Sequence, residues 1–185
     1  MIAAVTAIAT WAAARELDFR HDETSGHGAV FSRCGRYRYL LWRDAVDGVN
    51  RREMLAIAML NPSKADHLAN DPTIARCHRW ATGAGDALLV WNLFALRETD
   101  PSRLKRRRGP VGRHNDDAIR LALNLAPTTV AAWGVHGTHR GRDVEVATLC
   151  GSHELRCYGV TKYGHPRHPL YLKNETIPQV WPIRP

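Results

Sequence analysis

Apolar residues gather into four short runs along the chain: "MLAIAML" (54–60), "DALLVWNLFAL" (86–96), "TTVAAWG" (128–134) and "LRCYGVT" (155–161). Consecutive apolar positions, without alternation, are the pattern of a strand covered on both faces. Ahead of these runs, "GAVFSRCGRYRYLLWRD" (28–44) reads as two strands turning at Cys34-Gly35, a hairpin. Helical spacing fills the intervals. Asp71 before Pro72 has the form of an N-cap with proline at the first helical position. Ile74, Cys77, Trp80 and Ala81 then share one face, with Arg76 and Arg79 off it. Asn115, Asp116 and Asp117 open a second helix running through Leu125, and "RGRDVEVATLCG" gives a third that stops at Gly151. The stretch "RETDPSRLKRRRGPVG" (97–112) is expected to be the one long loop.

Strands alternating with helices predict an α/β fold: a three-layer αβα sandwich around a mostly parallel four-stranded sheet, with an N-terminal β-hairpin. Residues 28–185 are expected to form a single domain, with 1–27 an extension or helix ahead of it. The leading "MIAAVTAIATWAAAR" lacks the positive start of a signal peptide and is too short to span a bilayer. A cytoplasmic protein without a membrane partner is the expectation.

In open parallel sheets, ligands sit beyond the carboxyl ends of the strands. That rule selects Asn61 and Ser63 after the first run, Asn92 within the second, Gly134 and His136 after the third, and "GHPRHPLYL" (164–172) after the fourth. Asn61-Pro62-Ser63 also suits a plain turn. Asn92 is harder to place, since an amide in an apolar strand is costly unless paired. His165 and His168 lie among prolines that stiffen the segment, a setting that serves a structural histidine as well as a functional one.

Composition sharpens the partner. With 26 Lys+Arg against 18 Asp+Glu, the net charge is +8, a balance that favours a polyanion such as DNA, although a basic surface need bind none. Cations concentrate at Lys105, Arg106, Arg107 and Arg108, with Arg97, Lys162 and Arg167 further candidates for phosphate contact. The four cysteines form no CxxC pair, and Cys34 and Cys77 read as reduced, buried thiols. Cys150, His153 and Cys157 lack a fourth ligand at zinc spacing, so neither metal nor cofactor is expected.

"MLNPSKADHLANDPTIARC", "VWNLFALRETDP", "AAWGVHG" and "GHPRHPLYL" together resemble the bacterial family DUF1643, over most of residues 30–172. More remotely, the order of these motifs resembles the uracil-DNA glycosylase superfamily: a water-positioning motif at one strand end, an Asn at the next, a "WG-x-H" segment and a late His-Pro-x-x-Leu loop. The resemblance implies a glycosylase-like enzyme that hydrolyses the N-glycosidic bond of a base flipped out of DNA. Carried over by residue, Asn61 orients water, Asn92 reads the base edge, and His168 (alternatively His165) stabilises the departing base. Phe94 or Tyr171 would stack on the base, with Ser63 and His136 lining its pocket. Leu60 stands where those enzymes commonly have glycine, and Arg167, His168 and Tyr171 replace small serines in the last loop. Two other functions fit the same residues: a non-catalytic nucleic-acid-binding module, or a hydrolase of free nucleotides.

Overall fold

The computed structural model describes residues 1–45, 53–173 and 176–181. Three of the four apolar runs form β4 (Met54–Met59), β5 (Ala87–Asn92) and β6 (Thr128–Ala131), and the last contributes the three-residue β7 (Leu155–Cys157). These four are parallel neighbours in the order β5-β4-β6-β7. The sheet is nevertheless larger than four strands, and it is mixed. The hairpin does not stand apart: β2 (Gly28–Phe31) and β3 (Arg38–Arg43) join β1 (Asp18–His21) in an antiparallel meander, and β3 pairs antiparallel with β5. On the opposite side β8 (Gln179–Val180) pairs antiparallel with β7. Both additions cover edges that would otherwise present unpaired N–H and C=O groups. The result is one eight-stranded sheet in the order β1-β2-β3-β5-β4-β6-β7-β8.

Helices cover both faces. On β4, Met54, Ala56 and Ala58 point into one core, shared with Ile8, Trp11 and Ala12 of α1 (Ile2–Ala13), Ala118, Ile119 and Ala122 of α4 (Asn115–Leu125), and Val146 of α5 (Arg142–Cys150). The alternate residues Leu55, Ile57 and Met59 point into the other, shared with Ile74, Cys77 and Ala81 of α2 (Pro72–Gly83). The leading segment is thus a core helix. The Arg-rich stretch expected to be loop contains the short α3 (Pro101–Arg106), whose N-cap Asp100 accepts from the N–H of Ser102, an Asp-Pro start like that of α2. Cys77 is buried as expected. Cys34 is exposed, because it sits at the hairpin turn rather than beneath it. No helix among the described residues is long and apolar enough to cross a membrane.

The connection β4–α2–β5 packs on one face, whereas β5–α4–β6 and β6–α5–β7 pack on the other. Chains leaving β4 and β6 therefore part to opposite sides and open a crevice at the carboxyl ends of these strands. One wall of it is the polar segment 61–71, which is held from below by β3. Arg43 is fully buried, and its Nη2 donates to the carbonyls of Asp66 and Ala69, its Nε to Oδ1 of Asn70, and its Nη1 to the carbonyl of Trp42. Asp66 Oδ1 accepts from the N–H groups of Leu68 and Ala69, closing the turn from the other side. A buried acceptor left without a donor costs about 1–3 kcal/mol; the loop acceptors here are part-buried, and the Ala69 carbonyl also accepts from the Asp66 N–H. Arg43→Met is therefore expected to lower stability by about 1–3 kcal/mol, read as a shift of the urea midpoint. A loss below about 1 kcal/mol would mean that water replaces the guanidinium at those carbonyls.

Candidate active site

The crevice is a cleft of about 950 Å³. Asn61, Ser63 and Lys64 come to it from the segment after β4, Trp133 to His136 from the segment after β6, Thr161, Lys162, Arg167, His168, Leu170 and Tyr171 from the segment after β7, and Asp71 to Ile74 from the start of α2. Glu98, Thr99 and Pro101 close one side, and Arg38 lies at the base with Met59. Strand-end loops from three parallel strands thus meet the first turn of one helix.

Asn61 is oriented by its amide nitrogen. Nδ2 donates to the carbonyl of Glu98 at 2.6 Å, of Pro62 at 3.0 Å and of Leu96 at 3.4 Å. Carbonyls accept only from the NH2 side of the amide, whose two hydrogens are shared among the three, and this fixes the orientation of the group. Oδ1 accepts no hydrogen bond among the described residues and remains the acceptor on a residue that lines the cleft.

His168 caps the 3-10 turn Pro169–Tyr171, its Nδ1 accepting from the N–H of Leu170 at 3.4 Å. That role for Nδ1 puts the proton of the neutral ring on Nε2, which is then a donor. Burial holds the His168 pKa below the usual histidine value, against the attraction of Asp71. Gly134 faces His168: its φ of 69° suits glycine, and a Cβ there would lie 4.0 Å from that of His168. The Gly134 N–H donates to the carbonyl of Pro166 at 2.9 Å, which ties the segment after β6 to the histidine loop. Trp181 braces the same loop, donating from Nε1 to the Gly164 carbonyl while its ring meets Trp133 edge-on at 5.1 Å.

Of the residues singled out from the sequence, Asn61, His168, Ser63, His136, Tyr171, Lys162 and Arg167 line this cleft. The His136 pKa is lowered by burial and by Lys105. Tyr171 stands at the rim, 81% exposed. Others lie elsewhere. Asn92 is buried on β5, where neither polar atom of its side chain has a partner, and it does not reach the cleft surface; its in-register neighbour on β4, Met59, does. Phe94 is fully buried, 5.8 Å from the His139 ring, and is not placed to stack on a base. Arg97 rests on the Phe31 ring and donates to the Gly35 carbonyl. Arg107 pairs with Glu98 at 3.2 Å rather than facing a ligand. Lys105, Arg106 and Arg108 are exposed but outside the cleft, and His165, the alternative to His168, does not line it.

Arg38, Lys64, Asp71 and Glu98 line the cleft without having been singled out for ligand binding. Asp71 is legible as a helix cap, and its Oδ1 does accept from the Ile74 N–H at 2.9 Å. Arg38 is one of two arginines in β3, and both are buried where segment 61–71 folds over the strand. Among the described residues, no group of three His, Cys, Asp or Glu side chains could hold a metal ion. The cysteines are free, and His153 Nε2 lies 3.2 Å from Oγ1 of Thr129.

No curated protein and no solved structure matches the chain. The family model described as a protein of unknown function, DUF1643, matches residues 38–170. That span starts at Arg38 and holds every cleft residue named above except Tyr171, leaving α1, β1 and β2 outside it. It covers well over half of the sequence, and the chain belongs to the DUF1643 family.

Proposed function

We propose that the cleft receives a nucleobase still attached to its sugar and hydrolyses the N-glycosidic bond, the base being flipped out of DNA or presented on a single strand. The observation that carries this reading is the complementary pair in one cleft: Asn61 with its amide nitrogen fully engaged and Oδ1 free, and a neutral His168 with a donor at Nε2. The motif order resembling the uracil-DNA glycosylase superfamily agrees with these roles, as do the carboxyl ends of parallel strands on which they stand.

The chemistry needs little more. The bond from the sugar C1′ to the base nitrogen breaks with its electron pair leaving on the base, whose oxygen accepts a hydrogen bond from His168 Nε2–H. The sugar is left as an oxocarbenium-like cation. Asn61 Oδ1 accepts a hydrogen bond from a water molecule and so points its lone pair at C1′. The water oxygen bonds to C1′ and then loses a proton to solvent. Asn61 cannot act as a strong base and need not, because the cation is a good electrophile. His168 supplies a fixed donor where negative charge develops, the arrangement that most often dominates catalysis. Tyr171 offers an exposed ring for stacking beside Lys162 and Arg167.

A second reading has support of its own. Arg107 is committed to Glu98, and Lys105, Arg106 and Arg108 lie off the cleft, so the cations on the cleft itself are few and local. That suits a free nucleotide as well as a strand. The two are separated by salt, because contacts to several phosphates make affinity fall steeply as salt rises.

Single-turnover base release from oligonucleotides bearing uracil, hypoxanthine and modified cytosines is the test. His168→Ala and Asn61→Ala are each expected to slow release about a hundredfold or more, with the fold intact by circular dichroism. Release by both variants at the wild-type rate would remove these roles, and binding without release from any substrate would point to a non-catalytic module. Lys162→Ala with Arg167→Ala is expected to weaken DNA binding and flatten its salt dependence while leaving base preference unchanged. An unchanged salt slope would place the phosphates elsewhere.

A further inference from the structure

Three buried arginines invite comparison. All three guanidinium nitrogens of Arg43 are hydrogen-bonded. So are those of Arg142, through the Leu93 carbonyl, Glu145 and Asp116. Arg38, only 2% exposed, uses Nη1 alone, donating to the Ala65 carbonyl at 2.6 Å. Its Nε is enclosed with no partner, and Nη2 makes no hydrogen bond among the described residues. Burial lowers the Arg38 pKa to about 9, with Asp71 and Asp66 opposing the shift and Arg97 and Arg43 adding to it. The group stays charged at neutral pH, yet no carboxylate among the described residues forms an ion pair with it. Natural chains seldom keep a dehydrated cation with two unused donors on one edge, and this one lines the cleft.

The Nε–Nη2 edge of a guanidinium matches two oxygens of an oxyanion through parallel N–H···O bonds. Around it the lining adds Lys64, Lys162 and Arg167, together with Thr73 in the first turn of α2, where N–H groups lack intrahelical partners. The two acids on the same lining are each partly engaged, and Asp71 keeps its charge beside Arg38. Asp71 Oδ1 accepts from the Ile74 N–H, and Glu98 Oε2 is paired with Arg107. We propose that Arg38 is the phosphate receptor of the cleft, holding a phosphate group of the nucleotide ligand through its Nε–Nη2 edge. The inference rests on the cleft being the nucleotide site of the proposed function, and not on hydrolysis taking place there. The phosphate is either the terminal group of a mononucleotide or one diester of a strand. Both present the paired oxygens the edge requires.

The experiment uses the whole chain and four probes: inorganic phosphate, a deoxynucleoside, its 5′-monophosphate, and a dinucleotide joined by one phosphodiester. Affinities are measured by titration, and the Arg38 Nε–Hε resonance, assigned through bonds from the Arg38 backbone and checked by its loss in Arg38→Met, is followed by NMR. Inorganic phosphate and the monophosphate are expected to move that resonance. The monophosphate is expected to bind about tenfold or more tightly than the nucleoside, and Arg38→Met to bring that ratio close to one. The dinucleotide binding as well as the monophosphate assigns the site to a strand diester; binding no better than the nucleoside assigns it to a terminal phosphate. Arg38→Met is expected to melt within a few degrees of wild type, since relief of a buried charge without an ion pair offsets most of the loss of its hydrogen bond to the Ala65 carbonyl. If that variant fails to fold, the wild-type resonance and the wild-type ratio decide. A silent resonance with a ratio of one in wild type overturns the proposal, as does an equal ratio in wild type and Arg38→Met. Lack of base release alongside phosphate binding through Arg38 would defeat the hydrolytic reading alone.

Discussion

Segment 61–71 keeps its shape because β3 pushes two buried guanidinium groups up beneath it. Arg43 takes the carbonyls of Asp66 and Ala69, and Arg38 takes that of Ala65. A polar loop leaving an apolar strand would ordinarily lie in water, where its backbone groups are satisfied by solvent. Here the carbonyls are turned inward and met by donors that carry full charge. Charge-assisted bonds of this kind are the strong ones, and they hold the loop without any secondary structure of its own. From that follow the position of Asn61 at one end of the loop and of Asp71, the start of α2, at the other.

Strand order supplies the rest. Chains leaving β4 and β6 part to opposite faces, and the loops after β6 and β7 are joined through Gly134 and Pro166. Three loops with separate supports therefore face one space. The antiparallel strands do not line it except through Arg38, the first residue of β3. They brace it: β3 carries the guanidiniums, while β1 and β2 cover the edge of β3.

The central strands were legible because burial on both faces writes itself as unbroken apolar runs, and α2 because Asp71-Pro72 carries both a cap and a start. The short α3 had the same signature at Asp100-Pro101, obscured by the cations that follow it. The strand β1, "DFRH", and the two-residue β8 have too few apolar residues to announce an edge. Among residues that line the cleft, Asn61 and His168 could be found because each directly follows or lies within a strand-end loop. Phe94 misled: it follows a strand end as Asn61 does, but the chain there turns back into the core and buries the ring. Asn92 sits at the right height on β5, one strand over from Met59, yet its side chain stays beneath the cleft surface. Arg38 could not be read at all, since its burial is created by a segment more than twenty residues later in the chain.

The central claim is that the strand-end cleft, with Asn61 and His168 on it, is where a nucleotide binds. Backbone amide shifts on adding a short single-stranded DNA test this most directly. The expected result is a coherent set of changes at Asn61 to Lys64, Val135 and His136, and Arg167 to Tyr171, with β1 and β2 unmoved. Changes confined to Lys105 through Arg108 with the cleft silent, or no changes with either the DNA or a deoxynucleoside 5′-monophosphate, would contradict it.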